Sequence, residues 1–111
     1  MNDEYHTPVL AGTVLSFLQP SSGGVYVDAT LGGGGHAEAL LIASAPSGRV
    51  IGFDADDEAL QFARQRLTGF AGRMYYAHEN FSHMTNALAA LDISGVDGIL
   101  FDLGEIGRAH V

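Results

Sequence analysis

The chain has 111 residues, 47% of them hydrophobic, and 13 acidic against 5 basic residues give a formal net charge of −8. That length supports one domain, and a chain of roughly 100 residues buries only about two thirds of its unfolded surface. The absence of cysteine excludes disulfides, cysteine-ligated metal centres and thiol nucleophiles, and a basic complement of five arginines without a lysine argues against an autonomous nucleic-acid-binding surface.

The apolar stretches are short and interrupted by Gly, Pro or Asp, and Met1-Asn2-Asp3-Glu4 does not open like a signal peptide. A soluble cytoplasmic domain with no membrane partner is therefore expected. From Thr7, a capping hydroxyl before Pro8 and apolar residues at Val9, Leu10, Val14, Leu15 and Leu18 predict a helix ending near Pro20. Ser21-Ser22-Gly23-Gly24 reads as a turn, and Val25-Tyr26-Val27-Asp28, β-branched and aromatic, as the first strand. Gly32 to Gly35 break the chain before a helix over 36–45, which Pro46-Ser47-Gly48 closes. Arg49 to Phe53 reads as a second strand.

Asp54-Ala55-Asp56-Asp57 places acids at the start of the next helix, where its dipole favours them, and Ala59, Leu60, Phe62, Ala63 and Leu67 continue it. Residues 73–78 predict a third strand. Ser82 is placed to cap a helix whose apolar residues are Met84, Ala87, Leu88 and Leu91, and residues 98–101 predict a fourth strand, followed by Asp102-Leu103-Gly104. Strands alternating with helices define an α/β fold with a parallel, Rossmann-like sheet, whose ligands bind beyond the carboxyl ends of the strands.

Two signals fall at those ends. Asp28-Ala29-Thr30-Leu31-Gly32-Gly33-Gly34-Gly35-His36 joins a strand to a helix, so a ligand can approach the backbone and meet helix N–H groups. Asp54, 22 residues after Gly32, ends the next strand, where a carboxylate can accept from ribose hydroxyls. An adenosine-containing cofactor fits both. Gly32-x-Gly34-x-x-Ala37 also satisfies the dinucleotide fingerprint, so a dehydrogenase-like NAD-binding fragment competes. Asp28 argues against it: Asp28-x-Thr30-x-Gly32-x-Gly34 resembles the pattern of class I methyltransferases, which implies an acid facing the ammonium of S-adenosylmethionine, whereas a carboxylate would repel a pyrophosphate. A non-catalytic Rossmann-like interaction module is a further reading, and Asp28 would then merely cap the glycine turn.

The segments His6-Thr-Pro-Val-Leu10, Val25-Tyr-Val-Asp-Ala-Thr-Leu-Gly-Gly-Gly-Gly-His36, Ile51-Gly-Phe-Asp54, Asn80-Phe81-Ser82 and Val96-Asp-Gly-Ile-Leu-Phe-Asp102-Leu-Gly104 occur in register. Together they resemble the N-terminal part of the bacterial small-subunit ribosomal RNA cytosine-N4 methyltransferases, the MraW family of class I enzymes that use S-adenosyl-L-methionine. The resemblance implies that Gly34, Gly35 and His36 line the methionine end of that cofactor, with Asp28 and Gly32 beside them. Asp54 would bind the ribose, Phe81 would lie against the adenine, and Asp102 would stand near the sulfonium and the incoming cytosine as the catalytic carboxylate. Phe81 is equally readable as core, and Asp102 as a turn residue ahead of Gly104.

The five histidines form no metal-site pattern, and His78 and His83 show no acid partner at a telling spacing, so no metal is expected. The resemblance ends at Gly104, where the family would continue through Val-Ser-Ser to a cofactor-contacting glutamine. Residues 1–104 are thus expected to be a cofactor-binding half-domain, inactive alone, with 105–111 a divergent or non-native tail. Most of the basic surface for ribosomal RNA would belong to the remainder of a parent enzyme. A fourth strand without an outer neighbour would favour self-association through the sheet edge.

Overall fold

The computed structural model describes residues 19–29 and 31–101; the expected N-terminal helix, His6, Asp102, Gly104 and the tail lie outside them. Four strands form the sheet: β1 (Val25–Asp28), β2 (Arg49–Phe53), β3 (Met74–Ala77) and β4 (Gly98–Leu100). Helix α1 (Gly35–Ala43) links β1 to β2, α2 (Asp57–Arg66) links β2 to β3, and α3 (Met84–Ala90) precedes β4. All pairings are parallel, as the alternation of strands and helices predicts, and the strand order is β3-β2-β1-β4. The order reverses at β1, which pairs with both β2 and β4, so the crevice of a doubly wound sheet opens above the carboxyl end of β1. Among the described residues, no helix is long and apolar enough to cross a membrane.

The strands are apolar on both sides because helices cover both faces. Tyr26, Val50 and Met74 pack under Leu40 and Leu41 of α1 and Leu60 and Ala63 of α2. Val25, Val27, Ile51, Phe53 and Ala77 form the opposite face with Ala87 and Leu88 of α3. The alternation within β1, Val25 and Val27 to one side and Tyr26 to the other, divides these two cores.

Helix ends follow local chemistry. Asp56 is the N-cap of α2, its carboxylate accepting from the Glu58 N–H at 2.9 Å. Helix α1 stops at Ala43, and the buried Ser44 that follows turns its hydroxyl back to the Leu40 carbonyl (2.6 Å). Gly48 then passes so close to Ser44 that a β-carbon there would collide with it. Two expectations are corrected, the cap at Ser82 and the lack of an acid partner for His83. Asn80, not Ser82, supplies the cap, accepting from the Ser82 N–H at 2.8 Å to start a 3-10 turn over Phe81–His83, and α3 begins only at Met84. Among the apolar residues read into these helices, Phe62 and Leu91 are 56% and 37% exposed. His83 does have an acid partner: its Nδ1 lies 3.3 Å from Glu79 Oε1, one helical turn away.

Arg73 ties the lower ends of the elements together. Its guanidinium donates to the Gly48 carbonyl (2.8 Å) and to the Leu41 carbonyl of the last turn of α1 (3.1 Å), in a partly buried setting. Positive charge at a helix C-terminus is favourable, and hydrogen bonds from a charged donor carry more stability than neutral ones. Arg64 instead lies over the Tyr76 ring, 4.4 Å from its centroid. Burial pushes the Tyr76 phenol above the ordinary tyrosine value, and the guanidinium opposes that rise. Arg73→Ala is expected to lower the unfolding free energy by about 1–3 kcal/mol, read as a reduced urea midpoint with an unchanged slope. An unchanged midpoint would show that the two carbonyls are equally well served by water.

Candidate cofactor-binding crevice

Asp28 closes β1 at the point where the strand order reverses, fully buried and in register with Gly52 on one side and Leu100 on the other. Beyond it the chain changes neighbours. The Ala29 N–H still donates to the Leu100 carbonyl of β4 (2.8 Å), whereas the Leu31 N–H donates to the Phe53 carbonyl at the end of β2 (2.8 Å). The backbone therefore leaves β1 leaning towards β2.

Asp54 pins the next stretch of chain. Its Oδ2 accepts from the Gly32 N–H and its Oδ1 from the Asp56 N–H, both at 2.9 Å. One carboxylate thus holds the glycine turn on one side and the entry to α2 on the other. A carboxylate has about four lone-pair directions, so each oxygen, on a half-exposed residue, keeps one for a further donor. This double use is not legible in the sequence, where the position of Asp54 points only to a ribose acceptor. A spacing of 22 residues does not say which backbone N–H the acid reaches. His78, at the end of β3, adds a contact between its Nε2 and the Ala55 carbonyl at 3.0 Å, so the Asp54 loop is held from both sides.

The glycine turn needs its glycines. Gly32 and Gly34 have φ of +53° and +89°, in the left-handed region, and the Gly34 N–H closes the turn on the Leu31 carbonyl at 2.9 Å. Gly34 is also the N-cap of α1 and has no side chain to accept from the first helical turn. The N–H groups of that turn, which carries Gly35 and His36, point out of the helix end, where an anionic group is favoured. On its other side Gly34 rests on α2, since a β-carbon there would lie 3.3 Å from Leu67 Cδ1 and 3.5 Å from Ala63 Cβ. Tight helix packing and close backbone approach are therefore both at work at this position.

Phe81 is half-buried. Its ring meets the wholly buried Phe53 edge-on at 5.9 Å and the 47%-exposed Phe101 at 4.7 Å between centroids. It belongs to the rim of the α3-side core, and an aromatic trio runs from the interior outward at the strand ends. Asp28, the glycine turn and Asp54 are thus brought to one end of the sheet, with Phe81 at the end of the strand-to-helix connection after β3. Of the expected site residues, Asp102 is the one outside the described residues.

Gly34→Ala is expected to cost about 1–2 kcal/mol of stability through its positive φ. Gly69→Ala, where no atom lies within 4 Å of the added carbon, should be neutral or slightly stabilising. Thermal unfolding of the two variants checks the contrast, and equal melting temperatures would contradict it.

Known proteins carry the same frame. A ribosomal RNA small subunit methyltransferase H from Geobacter sp. (strain M21) is 55% identical over 104 residues, 94% of this chain and 33% of that protein. One of the same name from Thermomicrobium roseum is 48% identical over 99 residues, 89% of this chain and 30% of its own length. The chain spans about a third of the length of the curated relatives it matches. Among solved structures, TrmN from Thermus thermophilus superposes with a TM-score of 0.70 at 24% identity, over 85% of this chain and 27% of that one. A SAM-dependent O-methyltransferase from Thermotoga maritima gives 0.64 at 23% identity, over 68% and 29%. These two likenesses show the fold. The family match covers residues 3–107, nearly the whole sequence, and with identities of about half to several relatives the chain belongs to the MraW methylase family.

Proposed function

We propose that the crevice binds S-adenosyl-L-methionine and that the chain is the cofactor-binding part of an enzyme that methylates N4 of a cytosine in small-subunit ribosomal RNA. The observation that carries this reading is the Asp54 carboxylate, hydrogen-bonded to Gly32 and Asp56 at the strand end beside the buried Asp28. The donor set suits the ligand. The Asp28 carboxylate favours a molecule with an ammonium and disfavours a pyrophosphate, Asp54 suits a ribose, and the glycine turn leaves room at the backbone for a carboxylate against the start of α1.

When bound, the cofactor supplies an electrophilic methyl group on sulfur. The chain's own residues do the positioning. Gly34, Gly35 and His36 would receive the methionine end, with Asp28 and Gly32 beside it; Asp54 would accept from the ribose through its remaining lone pairs, and Phe81 would meet the adenine edge-on or by stacking. Asp102, two residues beyond the end of β4, would accept an N–H of the cytosine amine and so hold its nitrogen in line with the methyl carbon. The base must leave its stack to reach that position. A net charge of −8 assigns the bulk of RNA phosphate binding to other parts of the enzyme.

Isothermal titration with S-adenosylhomocysteine and with NAD tests the cofactor assignment. Binding of S-adenosylhomocysteine alone is expected, with Asp54→Ala weakening it by about tenfold or more, the loss of hydrogen bonds to a charged acceptor. Binding of NAD alone would overturn the reading.

A further inference from the structure

The glycine turn is contacted from a second direction by Arg66, the last residue of α2. The Gly33–Gly34 peptide has partners at both ends: its N–H donates to the Leu31 carbonyl at 2.9 Å, and its carbonyl, that of Gly33, meets Arg66 Nη1 in a long, exposed contact of 3.5 Å. The guanidinium is itself anchored, with Nε 3.1 Å and Nη2 2.9 Å from Oε1 of Glu38, on the first turn of α1. Arg66 therefore spans the turn and the helix that the turn introduces. One helical turn earlier on α2, the exposed Phe62 flanks the same glycine, its ring 3.5 Å from where a β-carbon on Gly33 would stand.

A peptide between two glycines meets little steric resistance to rotation, so its plane is set by what its two polar ends bond to. With the Gly33 carbonyl turned outward onto Arg66, that oxygen is kept from facing the crevice, where it would repel an anionic ligand group. The following N–H groups at the start of α1 keep their outward aim.

We propose that Arg66, through Glu38 and the Gly33 carbonyl, is a positioning residue for the methionine end of the cofactor, an inference that rests on the cofactor reading above. It touches no part of the ligand. Its hydrogen bonds go to Glu38 and Gly33 and not to the Asp54 loop, so the expected loss falls on the methionine end of the ligand, which separates it from a general contribution to stability.

The test compares two ligands on the full chain by isothermal titration: S-adenosylhomocysteine, which carries the amino-acid end, and 5′-methylthioadenosine, which lacks it. Arg66→Met is expected to weaken the first about fivefold and the second less than about twofold, the size of effect an exposed ion pair can exert. Glu38→Gln, which leaves Arg66 in place without its anchor, should shift the same ligand in the same direction by a smaller factor. Both side chains are about one-third exposed, so the fold is expected to tolerate the changes, and melting curves establish that it does. If Arg66→Met unfolds the chain, Glu38→Gln decides alone. An equal loss for both ligands, or no loss for either, overturns the inference while the cofactor reading stands. Failure of the unaltered chain to bind S-adenosylhomocysteine overturns both.

Discussion

The site depends on one carboxylate with two obligations. Asp54 receives the N–H of Gly32 from the turn after β1 and the N–H of Asp56 from the entry to α2. That acceptor joins the glycine turn to the α2 entry, beside the neighbouring bond from Leu31 to Phe53. A flexible four-glycine run becomes a defined surface because an acid at the end of the adjacent strand holds its first amide. The same acid keeps lone pairs for a further donor, so in the proposed reading structural and binding roles sit on one side chain.

Around this point the layers are arranged to present strand ends. Helices α1 and α2 cover one face and α3 the other, and β1, flanked on both sides, carries the buried Asp28 to the place where the strand order reverses. The packing of Gly34 on Ala63 and Leu67 couples the turn to the body of α2, while Asp56 couples the Asp54 loop to its cap. Helix α2 thus braces both halves of the crevice, and disturbing it should move them together.

Much of this is legible in the sequence. Val25 to Asp28 and Arg49 to Phe53 are short apolar runs bounded by glycine, serine or acid, which leaves a buried strand as the economical reading, and the observed bounds agree. The acids at their ends follow from the same bounds. What is not legible concerns partners rather than elements. Apolar character reads Phe62 into the helix but does not say whether it is covered, which depends on what packs there, and Phe62 lies open beside Gly33. Ser82 and Asn80 are both capping residues two apart, and only the backbone path decides between them. The pairing of His83 with Glu79 stands at ordinary i, i+4 spacing and could have been found from the sequence.

On this account the glycine turn and the Asp54 loop are two walls of one binding site. Backbone amide resonances followed during titration with S-adenosylhomocysteine test it most directly. Perturbations confined to Gly32–His36 and to residues 54–56, saturating with a single affinity, are the predicted result. Shifts centred instead on the groove beside β3, around Arg64 and Tyr76, or changes in only one of the two walls, would contradict it.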